Sequence, residues 1–223
     1  MSGERRARGA SGERSLDGNA AAKPPRGRNA RQQDQRQETR RLLVSAAVRV
    51  FEVRGYVETS VEHVLVEARV SRAAFYSHFD GKLALVCAVA EDFRPEWSGI
   101  FDALAELREP SLEHLERWAE RHLAFHATHQ AICSLLSQVA LLEDRLYWII
   151  AEQRDRLIAA LAERFPAFQK AMDDPAARLR AQLLLWNIDQ TCFMVVRGRL
   201  PDPAHCAGRQ IAQQMRAFLV DFE

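Results

Sequence analysis

From Arg36 onward, apolar positions recur with a helical period. In "RQETRRLLVSAAVRVFEVRGY", Leu43, Ala46, Ala47, Val50 and Phe51 fall three and four apart, which predicts a first helix that stops at Gly55. "TSVEHVLVEARV" opens with Thr59 and, three residues on, Glu62, the reciprocal spacing of a capping box, and predicts a short second helix ending near Ala68. Ser71 then stands where an N-cap belongs, before a third helix with Phe75 and Phe79 on one face. Past Lys82 the period stays helical over 82–93, 96–107, 112–128, 130–141, 143–165, 176–197 and 203–222. Pro95, Pro110, Pro166, Pro175 and Pro201 lie at or near the breaks, as expected of a residue that interrupts the backbone ladder. No alternating run with hairpin punctuation and no internal repeat occurs, so the expected fold class is all-α.

Residues 1–35 differ from the rest. They hold few large apolar side chains and many Gly, Ser, Pro and Arg, and are expected to be a disordered basic tail. Charge divides the chain further: residues 1–35 carry +4, residues 36–82 carry +2 and residues 83–223 carry −5, so a net charge of +1 hides a basic N-terminal part that suits a polyanion. The plainer reading of the tail is a solubilising extension. No long uncharged apolar run and no signal-peptide pattern occur, which points to a cytoplasmic protein without a membrane span. Cys87, Cys133, Cys192 and Cys206 show no Cys-x-x-Cys spacing, and three of them sit in apolar helical patterns, as reduced thiols would.

Two short helices joined by a tight turn and braced by a longer one form a helix-turn-helix, whose second helix can enter a DNA major groove. Here the resemblance is specific. Gly55, Tyr56, Thr59, Ser60, Val61, Val64, Ala68, Val70, Ser71, Phe75, Tyr76, His78, Phe79 and Lys82 stand in order and at the spacing of the TetR-family DNA-binding domain, over about residues 36–90. Arg69 departs from that pattern by replacing the turn glycine, Leu65 by replacing an alanine, Ala73-Ala74 by replacing Gly-Thr, and Gly81 by replacing serine. The resemblance implies a helix-turn-helix domain over 36–82 and a larger helical effector-binding and dimerisation domain over 83–223. It also implies a bacterial transcriptional regulator, most simply a repressor that leaves an inverted-repeat operator in double-stranded DNA when a small lipophilic effector binds. The helix opening at Lys82 would be the moving part.

Side-chain type then suggests roles. Arg72 suits a guanine edge; Ser71, Tyr76, His78 and Lys82 suit phosphate oxygens; Arg69 in the turn suits the backbone; Ala74 suits a thymine methyl. Thr59 and Ser60 belong to the same surface, with Arg40 and Arg41 as secondary phosphate candidates. The alternative for each charged or polar member is an ordinary solvated helix face. In the second domain, Trp118, His122 and Phe125 share a helical face, Tyr147 and Trp148 precede an apolar stretch, and Trp186, Asn187 and Gln190 lie on a late helix. All are candidates to line an effector pocket, against the plainer reading of core aromatics. The Trp186 helix is faintly similar to the ethionamide-repressor subgroup, but no ligand-contacting asparagine of that group maps onto it. The 176–197 helix is apolar on more than one side, and Ile211, Met215, Phe218, Leu219 and Phe222 stripe the last helix, so both are expected to pair in a homodimer. His122, His126, His129 and Cys133 allow a second class of function, a metal sensor using His122 and His126, although no cofactor is expected; a regulator without a small-molecule effector is the other alternative. No Gly-rich phosphate loop, nucleophile elbow or His-Glu-x-x-His occurs, so an enzyme is not expected.

Overall fold

The computed structural model describes residues 26–107 and 110–220. Residues 1–25, most of the expected tail, and Phe222 lie outside the described residues. The chain divides into an N-terminal unit ending at Arg36 and a main unit, Gln37–Glu223. Ten helices and no strands occur among the described residues: α1 (Arg26–Glu58), α2 (Val61–Ala68), α3 (Arg72–Tyr76), α4 (Lys82–Ala105), α5 (Leu112–Thr128), α6 (Gln130–Ala140), α7 (Asp144–Ala162), α8 (Pro166–Asp173), α9 (Pro175–Val196) and α10 (Ala207–Val220). α1 starts ten residues before the expected position, so residues 26–35 are helical rather than part of a disordered tail.

The break in α1 falls at Gly55, as expected, with φ 76° and ψ 166°. That conformation is essentially restricted to glycine. It turns Tyr56 into the core, where its ring is 6% exposed and packs 5.8 Å from Phe51. The α2 cap differs from the expected Thr59–Glu62 pair. Ser60 is the N-cap, its hydroxyl accepts from the His63 amide, and the Ser60 amide donates to His63 Nδ1. Thr59 is buried instead, and its hydroxyl donates to the Gly55 carbonyl at 2.7 Å. Arg69 ends α2 in the left-handed region at φ 55°, which accounts for the glycine usual at that turn position, and Ser71 caps α3 by accepting from the Ala74 amide.

Two apolar cores sit along the main unit. One joins α1–α3 and the first half of α4 to Leu135, Val139 and Leu146, so it crosses the boundary expected at residue 82. The other joins Phe101 and Leu104 of α4 to α5 and α7–α10 around Trp118, Phe168 and Ile188. α4 belongs to both, and this explains why it does not break at Pro95. The proline lies on the exposed face, where loss of one backbone donor is tolerated, while buried residues on either side hold the two halves of the helix. The segment after Pro166, expected to be a break, is the short helix α8; Ala167, Phe168 and Ala171 fill the second core. α10 begins at Ala207 rather than at 203, where the Asp202 carboxylate accepts from the Cys206 and Ala207 amides at 2.7 and 3.2 Å. No helix among the described residues is long and apolar enough to cross a membrane.

The two left-handed positions make opposite predictions. Gly55→Ala is expected to destabilise the protein by about 1–3 kcal/mol, because a Cβ is strained there whatever space surrounds it. Arg69→Gly is expected to stabilise it by about 0.5–1.5 kcal/mol. Urea unfolding followed by circular dichroism measures both, and a stabilised Gly55→Ala protein would contradict the assignment.

Candidate functional site

The helix-turn-helix presents Arg69, Ser71, Arg72 and Tyr76 as exposed residues, Tyr76 at 47%. They lie at the turn and along α3. The Arg72 guanidinium pairs with Glu62 of α2 and lies 5.6 Å from the centre of the Tyr76 ring. Arg72 is therefore held between α2 and the Tyr76 ring. Ala74 and His78 are half-buried, and Ser60 is exposed but serves as the α2 cap.

Three expected contact residues have partners within the chain. Thr59 is buried beneath the Gly55 break. Arg40 makes a bidentate pair with Asp92 of α4 at 2.5 and 2.9 Å, which raises its pKa first through that hydrogen bond. The Lys82 ammonium donates to the Tyr56 carbonyl at 2.8 Å and sits 4.3 Å from the centre of the Tyr56 ring, so it closes the end of α1 against the start of α4. Tyr56 completes this joint: its hydroxyl donates to Glu143 Oε1 at 2.9 Å, just before α7. Burial, and then the Glu143 hydrogen bond, push the Tyr56 phenol above its usual range.

The second cluster is buried between α5 and α9. Asp189 Oδ1 accepts from Trp97 Nε1 of α4 at 3.2 Å and lies 3.0 Å from His122 Nε2 and 3.6 Å from His126 Nε2. The two imidazoles stack with centres 5.3 Å apart, and His122 also meets the edges of Phe101 and Trp118. Burial alone would raise the Asp189 pKa, but the His122 hydrogen bond and the neighbouring His126 imidazole outweigh it and hold the carboxyl well below its ordinary value. Burial pushes the Cys133 thiol up to about 12 and raises Cys192 as well, with the Asp189 charge adding to both. A ring nitrogen of His122, one of His126 and the Cys192 sulfur all lie within 4.8 Å of one another.

The expected effector residues separate on this geometry. His122 belongs to the cluster, Trp118 is core with its indole donating to the Ile100 carbonyl, and Phe125 stacks on Phe93. Gln190 is half-buried on α9, whereas Tyr147, Trp148, Trp186 and Asn187 are exposed and line no enclosed site with the cluster. His122 and His126 come together as the metal alternative required, and His129 and Cys133 do not join them. His129 stands 3.5 Å from Glu96 and packs against Phe125, and the third donor is Cys192 from another helix. Asp189, Cys192 and Trp97 were missed as site residues; an aspartate inside the apolar run "LLLWNIDQTCF" was the available signal. A surface groove of about 600 Å³ runs along the polar side of α5, lined by Leu107, His114, Arg117, Glu120, Arg121 and Ala124.

The joint at Tyr56 can be tested directly. Tyr56→Phe is expected to lower stability by about 1 kcal/mol through loss of the Glu143 hydrogen bond, with the helix content unchanged; thermal unfolding measures it.

Residues 43–89 match the family model for bacterial regulatory proteins of the tetR family. The HTH-type transcriptional regulator SrpR of Pseudomonas putida is 38% identical over 53 residues, 24% of this chain and 25% of SrpR. The chain aligns with only 18% to 39% of the length of the curated relatives it matches, all of them HTH-type transcriptional regulators. Over most of its length it shares the fold of a tetR-family regulatory protein from Rhodococcus RHA1 (TM-score 0.59, 19% identity, 80% of this chain and 95% of that one). The same holds for Salmonella enterica GusR (TM-score 0.62, 18% identity, 82% and 95%). The matched family and relatives are regulators, not enzymes. Residues 43–89 thus match the helix-turn-helix region of the tetR family, and the chain shares its all-helical fold with solved members of that family.

Proposed function

We propose that the protein is a ligand-responsive repressor that binds an inverted-repeat DNA operator as a homodimer and leaves it when a small effector occupies the C-terminal domain. One observation carries this reading: α4 is fastened to the DNA-binding module by Lys82 at its first residue and to the buried Asp189 cluster by Trp97 in its second half. A ligand that moves Trp97 therefore acts on the same rigid element that sets the position of α3. To lower operator affinity a hundredfold the effector must couple to DNA by about 2.7 kcal/mol, an ordinary magnitude for allostery. The polar cluster favours an effector with a charged or donor-rich group over the small lipophilic one that the resemblance implies.

The dimer rests on α9. Leu179, Leu183 and Trp186 are each at least half exposed at helical spacing on one face, a surface suited to the same face of a second copy. The α10 stripe does not contribute in the expected way: Ile211, Met215, Phe218 and Leu219 are buried in the chain's own core.

On the DNA side, Arg72 takes the base-reading role, and Arg69, Ser71 and Tyr76 the phosphate roles. Lys82 and Arg40 act by positioning. Arg72→Ala is expected to lose about 1–3 kcal/mol of discrimination between operator and scrambled DNA. Arg69→Ala is expected to weaken both alike and to flatten the slope of log K against log[salt] by about 0.9. Fluorescence anisotropy on the gene's own upstream DNA, at several salt concentrations, measures each. No preference of the unmodified protein for that DNA over scrambled sequence would remove the repressor reading, and equal losses on both DNAs for Arg72→Ala would remove Arg72 from base reading.

A further inference from the structure

We infer that His122, His126 and Cys192 form a binding site for a divalent transition metal ion of the zinc class, which ties α5 to α9 beside Asp189. The three donors come from two helices, all three residues are buried, and their ligand atoms already lie within 4.8 Å of one another. Tetrahedral bonds of about 2.0–2.3 Å place ligand atoms somewhat under 4 Å apart, so small side-chain shifts close the site.

A self-satisfied polar cluster is the competing account, and the hydrogen bonds argue against it. His122 Nδ1 and both ring nitrogens of His126 are buried without a hydrogen-bond partner, although the carboxylate beside them could serve only some of these atoms. Leaving such a group unsatisfied costs about 1–3 kcal/mol, so the two Nδ1 atoms, together with a His126 Nε2 that reaches Asp189 only at 3.6 Å, point to a ligand. Asp189 has the position of an orienting carboxylate. With the His122 Nε2 proton directed at Asp189 Oδ1, the ring lone pair is left on the buried, unpartnered Nδ1.

The donor set selects the ion. Two imidazoles and a thiolate suit Zn²⁺ or Co²⁺ and do not suit Mg²⁺ or Ca²⁺, which take oxygen ligands. Three protein donors leave a fourth position, and Asp189, 17% exposed at its side chain, marks the side of the cluster nearest solvent. Before the ion enters, burial keeps the Cys192 thiol protonated. As the metal–sulfur bond forms, the S–H bond breaks and its proton passes to solvent, with no change of oxidation state. The site stands on side-chain geometry alone and does not depend on the protein binding DNA.

Chelator-stripped full-length protein is titrated with Co²⁺ and followed by absorption. The expected result is one equivalent per chain, with tetrahedral ligand-field bands, a thiolate charge-transfer band in the near ultraviolet, and bleaching of both on adding Zn²⁺. Cys192→Ser is expected to abolish the charge-transfer band, while Cys206→Ser and Cys133→Ser retain it. His126→Gln is expected to weaken binding at least tenfold, and it keeps the test intact if the serine variant does not fold by circular dichroism. Absence of a stoichiometric charge-transfer band, its survival in folded Cys192→Ser, or unchanged affinity in His126→Gln would each overturn the inference.

Discussion

The reversal at Gly55 is the constraint on which the helix-turn-helix depends. A backbone at φ 76° and ψ 166° ends the straight part of α1 and drops Tyr56 into the core. From there its carbonyl receives the Lys82 ammonium and its hydroxyl reaches Glu143. An ordinary side chain at residue 55 would resist that conformation. With Tyr56 displaced, the first residue of α4 would lose its anchor and the α6–α7 corner its link to α1. One glycine thus sets the geometry of three elements that are distant in sequence.

α4 converts this local joint into a long-range one. Its first half lies in the core shared with α1–α3, and its second half in the core shared with α5 and α7–α10. Packed cores resist continuous deformation, so a displacement at Trp97 passes along the helix more readily than it is absorbed by side chains. Pro95 lies between the two cores, where the ladder lacks one backbone donor but the helix continues unbroken. The buried Asp189 cluster faces the far side of this point. A charged carboxylate inside an apolar core is tolerable only with partners, and His122, His126 and Trp97 are those partners.

The arginines divide along the same lines. Arg40 satisfies Asp92 and braces α1 on α4, whereas Arg69 accepts a strained backbone at the turn and leaves its side chain exposed.

Helical period, caps and turn residues by themselves determined the all-α class, the end of the first helix at Gly55, the Ser71 cap and the helix-turn-helix, because each depends on interactions within a few residues of chain. The same local rules placed a break at Pro95, missed α8 and set the Ser60 cap one residue early, where flanking burial or a neighbouring hydroxyl outweighed the local signal. Only the tertiary structure decided which apolar faces were spent on the chain's own core, as α10's stripe is, and which were left exposed, as Leu179, Leu183 and Trp186 are. It alone brought Asp189 and Cys192 to His122 and His126. Periodicity records the faces of one helix, whereas a site between helices depends on how two of them pack, and that is set by the fit of whole surfaces.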